Sequence, residues 1–455
     1  GRLDVINPYT GQSAGCVATV DGTAVEAAMA VATGEQEPLT RYQRFEVLDR
    51  ARDLLQERAD AFAGLICAES GLCLRETRYE VGRACDVLQF GAIESLRDDG
   101  DIYSCDISPQ GKARKIFTFR EPVRLVSAIT PFNHPLNQVV HKLAPAIAAG
   151  APVLLKPSEK TPLTAIRFAE LLYEAGLPGW MLSVVLGPHG IVSRMLVEDE
   201  RVELVSFTGS VAIGKLIAQA SGYKKLVLEL GGNSPLIILD DADLDLAVHL
   251  ATEGCYRNSG QRCTAVKRIL VQEGIREAFT EQFVERSREY TVGDPADPET
   301  RVGTVIDEDA AIRLHGVLDQ AVAAGARVLL GGGRRGAQLE PTVVTDVPRD
   351  ATLVVEEAFG PFAPILAVSD LAEAIEVANS TAYGLSSGIV TSSLESARRA
   401  IKGIRTGTVN VNEVPGYRIE SSPFGGVKDS GLGIKEGVIE AIRGMTTVKT
   451  FSLPW

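Results

Sequence analysis

Val202-Glu203-Leu204-Val205-Ser206-Phe207-Thr208-Gly209-Ser210-Val211-Ala212-Ile213-Gly214 is the stretch whose reading decides the fold class. The short apolar run Val202–Thr208 closes at Gly209, and Ala212–Ala220 then repeats its apolar residues at helical spacing. Strand, glycine turn and helix make up the unit of parallel sheets. The unit recurs on both sides. Upstream, Arg124–Thr130, Pro152–Lys156 and Leu182–Leu186 are short apolar runs, with a helical stretch at Leu163–Ala175, and Leu226–Leu230 follows downstream. The expectation is a doubly wound α/β sheet over Val123–Asp240, with ligands bound beyond the carboxyl ends of its strands.

From Asp241 onward a second set of such units is expected. Its candidate strands are Val266–Val271, Pro364–Val368, Ser387–Val390 and Thr408–Val411. Its candidate helices are Ile275–Tyr290, Asp309–Ala324, Leu371–Ala378 and Leu394–Ile404. The domain boundary is placed just after Glu229. The first hundred residues read as mostly helical, with amphipathic stretches at Arg41–Phe62, Ala61–Glu69 and Glu76–Leu96. Lys115–Arg120 alternates with period two, as an antiparallel strand does, and Thr446–Leu453 reads as a terminal strand that needs a partner elsewhere. Gly331-Gly332-Gly333 and Arg334-Arg335 read as a surface loop.

The 455 residues suffice for two to three domains, and the net charge of −13 sets aside nucleic-acid binding, which calls for a basic surplus. Seven cysteines without regular spacing and only five histidines argue against a disulfide framework and a structural zinc, so no metal is expected. The longest nearly apolar run, Leu143–Leu155, falls short of the ~20 residues that span a bilayer. Gly1-Arg2-Leu3-Asp4 lacks a signal-peptide core. The expected setting is reduced and cytoplasmic, with no membrane partner.

Chemistry concentrates at strand ends. In Gly260-Gln261-Arg262-Cys263-Thr264, Arg262 favours a thiolate at Cys263, and the preceding Asn258-Ser259-Gly260 permits a sharp turn. Asn133, between Pro131 and Pro135, has a held backbone and an amide able to donate to an oxyanion. Lys156 and Glu159 in Lys156-Pro157-Ser158-Glu159 can bracket a ribose diol. Gly209-Ser210 opens a helix whose N-terminus can face a pyrophosphate, although neither GxGxxG nor a P-loop is present. Glu229, between two leucines and ahead of Gly231-Gly232, is suited by desolvation to act as a base.

Taken in order, seven motifs resemble those of the aldehyde dehydrogenase superfamily. They are Pro131–Pro135, Lys156–Glu159, Phe207–Ser210, Glu229–Gly232, Gly260–Cys263, Glu357–Pro361 and Pro423–Gly431. The resemblance covers essentially the whole chain, with Phe132 where many members have Trp and Asn233 where many have Lys. It implies a dinucleotide-binding domain at 1–104 and 123–229, a catalytic domain at 230–443, and a small β oligomerisation arm at 105–122 and 444–455 whose strands pair across subunits in a homodimer or homotetramer. It implies Cys263 as nucleophile, Glu229 as base for the hydrolytic water, and an oxyanion hole from Asn133 and the Cys263 N–H. The implied cofactor is NAD, with NADP possible. Lys156 and Glu159 would hold its adenosine ribose, Gly209 and Ser210 would lie at its pyrophosphate, Glu357 and Phe359 would hold its nicotinamide ribose and ring, and Thr130, Pro131, Phe132, Ser158, Gly187, Gly214 and Leu230 would also contact the cofactor.

The implied substrate end is cationic: Arg83, His134, Arg262, Thr264 and Arg418 join Asn133 there. Phe-Asn-His-Pro, Gly-Gln-Arg-Cys-Thr and the Arg83 helix look most like the phosphonoacetaldehyde dehydrogenase branch. The expected substrate is therefore a small anionic aldehyde, phosphonoacetaldehyde first. Glyceraldehyde 3-phosphate, succinate semialdehyde and lactaldehyde are the alternatives, and a non-catalytic binding protein is a remote one.

Overall fold

The computed structural model describes residues 1–97, 100–434 and 436–455. Two parallel sheets organise it. The first holds Val126–Ile129, Val153–Lys156, Leu182–Val184, Leu204–Thr208 and Lys225–Glu229, all parallel. The chain runs outward from Val126–Ile129 in one direction, then returns to the other side of that strand with Leu204–Thr208. This reversal opens a crevice at the carboxyl ends of the two strands, where Thr130–Asn133 and Thr208–Ser210 begin. Helix Asn137–Ala149 is buried along its whole length, which accounts for the apolar run in the sequence. No described helix is long and apolar enough to cross a membrane.

The second sheet has seven strands, with Val266–Gln272 and Ser234–Ile238 at its centre. Pairing is parallel except at the edge, where Arg327–Leu330 runs antiparallel to Thr342–Thr345. Those two strands and Ser234–Ile238 are absent from the sequence reading. Pro235 explains the last omission, because proline removes a ladder donor and argues against a central strand. The register shift between Ser234 and Pro235 accommodates it.

The terminal strand finds one partner within the same chain: Thr446–Pro454 lies antiparallel to Arg114–Pro122 along its full length, and Ile102–Ser104 pairs with the other side of Arg114–Pro122. Phe117 stacks on Phe451 across this pair, with ring centroids 5.2 Å apart, a contact of about 0.5–1.5 kcal/mol beyond its buried area. The N-terminal region is mostly helical, as expected, and adds a hairpin of Arg2–Ile6 and Ser13–Ala18. Arg41–Glu57 and Ala59–Ser70 are separate helices, broken at Arg58. Arg334-Arg335 pairs with Gln338-Leu339 in a minimal hairpin within the expected loop.

Candidate active site

Cys263 stands on a loop between helix Leu244–Tyr256 and strand Val266–Gln272. Three consecutive residues ahead of it are left-handed: Asn258 (φ 52°), Ser259 (φ 53°) and Gly260 (φ 70°). Only glycine adopts this region without strain, so the two others cost on the order of 1 kcal/mol each. The surroundings hold the turn. The Gln261 carbonyl accepts from Asn133 Nδ2 at 2.9 Å, and Gln261 Oε1 accepts from the Ile306 N–H at 2.9 Å. The first bond takes one hydrogen of the Asn133 amide and leaves the other available to an oxyanion beside Cys263.

Glu229 ends its strand and is 1% exposed. The Pro423–Gly431 motif clamps the loop that follows: Leu230 N–H donates to Ser430 O at 3.0 Å, and Ser430 Oγ donates to Gly231 O at 2.6 Å. Burial raises the Glu229 carboxyl to about 8, with the Glu436 charge adding to the effect and Arg418 and the Cys263 thiol opposing it. Burial, then the Glu229 and Glu357 charges, push the Cys263 thiol well above its ordinary range, and Arg418 is the leading cation that opposes them. Cys263 and Glu229 therefore rest as a neutral pair near neutral pH: a Glu229 charge disfavours the thiolate, while the thiol itself favours the carboxylate.

A cavity of about 380 Å³ joins this pair to the strand ends of the first sheet; Phe132, Asn133, Gly209, Leu230, Glu357 and Phe359 are among its walls. Phe132 and Phe359 meet edge to face across 5.9 Å. Glu357 Oε1 accepts from the Gly232 N–H at 2.9 Å, while burial raises its carboxyl to about 7. Asn233 Nδ2 donates to Val354 O at 2.8 Å and so ties the two loops together. These features fit a dinucleotide. Gly209 and Ser210 open helix Val211–Ala220 toward the cavity, and a Cβ on Gly214 would collide with Leu230. The Thr208 hydroxyl and both Glu229 oxygens are buried without hydrogen-bond partners in the protein. Lys156 Nζ lies 3.6 Å from Glu159 Oε1, Thr130 N–H donates to Lys156 O at 3.1 Å, and Ser158 Oγ accepts from Lys160 N–H. Thr130, Lys156, Ser158, Glu159, Gly187 and Gly214 are not among the cavity walls, and Gly187 lies against the Val20 carbonyl.

The expected cationic residues separate into three environments, and none of them is among the walls of this cavity. Arg83 and Arg418 converge on Glu420, a residue the sequence reading missed. Arg83 Nε bonds to Glu420 Oε1, Arg418 Nη2 lies 4.0 Å from Oε2, and His141 Nε2 lies 2.5 Å from Oε2. Arg418 also stacks over Phe424, 3.9 Å from its centroid. Arg262 Nη2 instead donates to the Glu253 and Gly254 carbonyls near the end of helix Leu244–Tyr256, where carbonyls lack intrahelical donors. Its Nε is buried without a partner. His134 faces Glu80, 3.6 Å away, and Asn258 Nδ2 at 3.3 Å. Thr264 packs against Gly416 of the loop that carries Arg418. Glu80 was missed as well; its carboxylate accepts from the Leu136 and Asn137 N–H groups and fixes the segment after Asn133. Glu420 left one signal in the sequence, a carboxylate two residues beyond Arg418.

The chain matches the aldehyde dehydrogenase family over residues 1–451. It is 40% identical to 3-sulfolactaldehyde dehydrogenase of Priestia aryabhattai over 446 residues, covering 98% of this chain and 93% of that protein. Among solved structures it is similar to aldehyde dehydrogenase 21 of Physcomitrella patens in complex with the reaction product succinate (TM-score 0.96, 36% identity, 100% and 95% coverage). It is also similar to the glyceraldehyde-3-phosphate dehydrogenase GapN of Methanocaldococcus jannaschii complexed with NADP (TM-score 0.94, 35% identity, 100% and 99% coverage). A cysteine on a strained loop, beside a buried glutamate at a cavity that reaches the strand ends of the first sheet, has its explanation in this ancestry: the chain belongs to the aldehyde dehydrogenase family, a family of NAD(P)-dependent oxidoreductases.

Proposed function

We propose that this enzyme oxidises a short aldehyde with an anionic far end to its carboxylate, through a thioester on Cys263. The observation that carries the anionic end is the pair Arg83 and Arg418 around Glu420. The Arg418 charge acts on Cys263, Glu229 and Glu420 alike, which supports a cation near the reacting sulfur that could meet an anionic tail. Cys263 Sγ adds to the aldehyde carbon while its proton passes to Glu229. The Asn133 amide and the Cys263 N–H hold the oxyanion. Phe132, Glu357 and Phe359 would hold the nicotinamide of NAD, which would supply the hydride acceptor. Glu229, once it has passed the thiol proton on to solvent, takes a proton from water as that water attacks the thioester, and returns it to the departing Cys263 sulfur, leaving the acid and the thiol.

The motifs point to phosphonoacetaldehyde, whose tail carries close to two charges. Glu420 offsets one of the two arginine charges. This favours a singly charged tail, a sulfonate or carboxylate, over a phosphonate, and the sulfolactaldehyde relative agrees with it. A panel of phosphonoacetaldehyde, 3-sulfolactaldehyde, succinate semialdehyde and a neutral short aldehyde tests both statements. The wild type should show its highest kcat/KM on an anionic member. Arg418→Ala should cost about 2–5 kcal/mol on that member, the range for an unpaired buried charge, and far less on the neutral one. Equal losses on both, or a wild-type preference for the neutral aldehyde, would sink the anion reading and leave the dehydrogenase standing. Glu420→Gln should shift preference toward phosphonoacetaldehyde if one positive charge is being offset.

NAD is proposed over NADP because Glu159 would accept from the adenosine 2′-hydroxyl and repel a 2′-phosphate. The expected kcat/KM ratio favours NAD by about ten-fold or more, roughly the 1.4 kcal/mol of one repulsive contact at a half-buried site. Glu159→Gln should narrow it. A wild type that prefers NADP overturns this assignment.

A further inference from the structure

Lys267 is a buried cation that the mechanism above does not use. It stands on Val266–Gln272, between Ser234–Ile238 and Phe362–Val368 at the centre of the seven-stranded sheet, and is 2% exposed. An ammonium in such a place is strongly disfavoured unless its donors are met. Here backbone meets them. Nζ donates to Gly260 O, lies 3.5 Å from Gly360 O, and sits over the Phe359 ring, 5.6 Å from its centroid. Gly260 belongs to the loop that carries Cys263, and Gly360 to the loop that carries Glu357 and Phe359. The loops touch at this point, since a Cβ on Gly260 would collide with the Gly360 carbonyl. Burial lowers the lysine to about 8; Glu357, Cys255 and Cys263 favour its charge and Arg262 opposes it. No carboxylate pairs with it directly among the described residues, so the two carbonyls and the ring are what hold it.

We propose that Lys267 is a positioning residue that locks the Cys263 loop to the Glu357–Phe359 loop, keeping the sulfur and the redox-active end of the cofactor at one separation. The proposal rests on the reading of Cys263 as nucleophile and of Glu357 and Phe359 as the nicotinamide-side residues. Lys267→Met preserves length and bulk but leaves both carbonyls without their donor. Misplacing reacting groups by about 1 Å costs about 100-fold in rate, so kcat for aldehyde oxidation should fall by about that factor with little change in aldehyde KM.

The discriminating measurement is the alkylation rate of Cys263 by iodoacetamide, with and without saturating NAD, on the full-length enzyme. In the wild type, NAD should change this rate, because the loop it touches is tied to the loop that carries the sulfur. In Lys267→Met the ratio should collapse to about one, and Lys267→Arg, which keeps charge and donors, should retain it. A purely structural lysine would lower Tm and leave the ratio intact, and that result overturns the proposal. So does an active wild type whose alkylation rate ignores NAD. If Lys267→Met does not fold, Lys267→Gln, whose shorter amide cannot serve both carbonyls, is read by the same ratio. A wild type that oxidises no aldehyde at all, seen in its own assay before any variant is made, overturns the functional reading and the proposal with it.

Discussion

Cys263→Ala should abolish aldehyde oxidation, a loss of at least about four orders of magnitude, while NAD still binds. The size of the effect follows from covalency: without the sulfur there is no hemithioacetal, and hydride would have to leave a hydrate that no residue here activates. The persistence of cofactor binding follows from the architecture. The crevice at Thr130 and Thr208, the Val211–Ala220 helix and Glu357 on its Gly232 N–H owe nothing to the thiol. Calorimetric titration with NAD and a steady-state assay on one preparation would measure both quantities. Near-normal oxidation by the alanine variant would falsify the central claim. Loss of NAD binding together with activity would mean that the strained turn at Asn258–Gly260 needs the thiol to keep its shape. The same geometry makes a second reading of the wild type available. Because burial and the Glu229 and Glu357 charges hold the thiol protonated, its alkylation without cofactor should be slow at neutral pH and rise as pH rises.

Much of this site was legible in the sequence because its parts are local. A strand that ends in a glycine turn is written in a dozen consecutive residues, and the helices at Asp309–Ala324 and Leu394–Ile404 emerge at Glu308–Ala323 and Leu394–Gly403. Thr408–Val411 emerges as read. What was illegible is long-range. Arg83 and Glu420 are 337 residues apart, and nothing near either residue announces the other. The pairing of Thr446–Pro454 with Arg114–Pro122 is likewise a contact between distant segments, so nothing near the terminal strand announces its partner within the chain. Arg262 shows a different limit. Adjacency to Cys263 placed it correctly along the chain, but side-chain direction is set by the helix end two turns earlier, whose carbonyls draw Nη2. Lys267 shows a third limit: a lysine inside an apolar strand conflicts with the local pattern, and conflicts of this kind gather at functional sites.

Glu229→Gln should separate the two halves of the reaction. Acylation needs a proton acceptor only briefly, whereas hydrolysis of the thioester depends on a base beside water. The variant should therefore give a burst of reduced cofactor, close to one equivalent per site, and then stall, with steady turnover down by about 10²–10⁴, the usual range for a general base. The pH dependence carries the sign. Burial holds the wild-type carboxyl at about 8, so below that pH most Glu229 is protonated and cannot accept a proton. Deacylation in the wild type should rise with pH and level off above about 8, and glutamine should erase that rise. Stability runs in the opposite direction. The folded pKa lies above the unfolded value, so this group's contribution is fully present below the unfolded carboxyl range and is lost as pH climbs through about 8. Glutamine, which does not ionise, should leave the variant less sensitive to alkaline pH than the wild type. Rapid-mixing absorbance of reduced cofactor across pH 6 to 9, paired with thermal midpoints at the same pH values, measures both trends. Steady turnover without a burst would assign the base to another residue. Glu436 is the first candidate, since its charge is the leading one that raises Glu229 and Lys142 Nζ lies 3.2 Å from it.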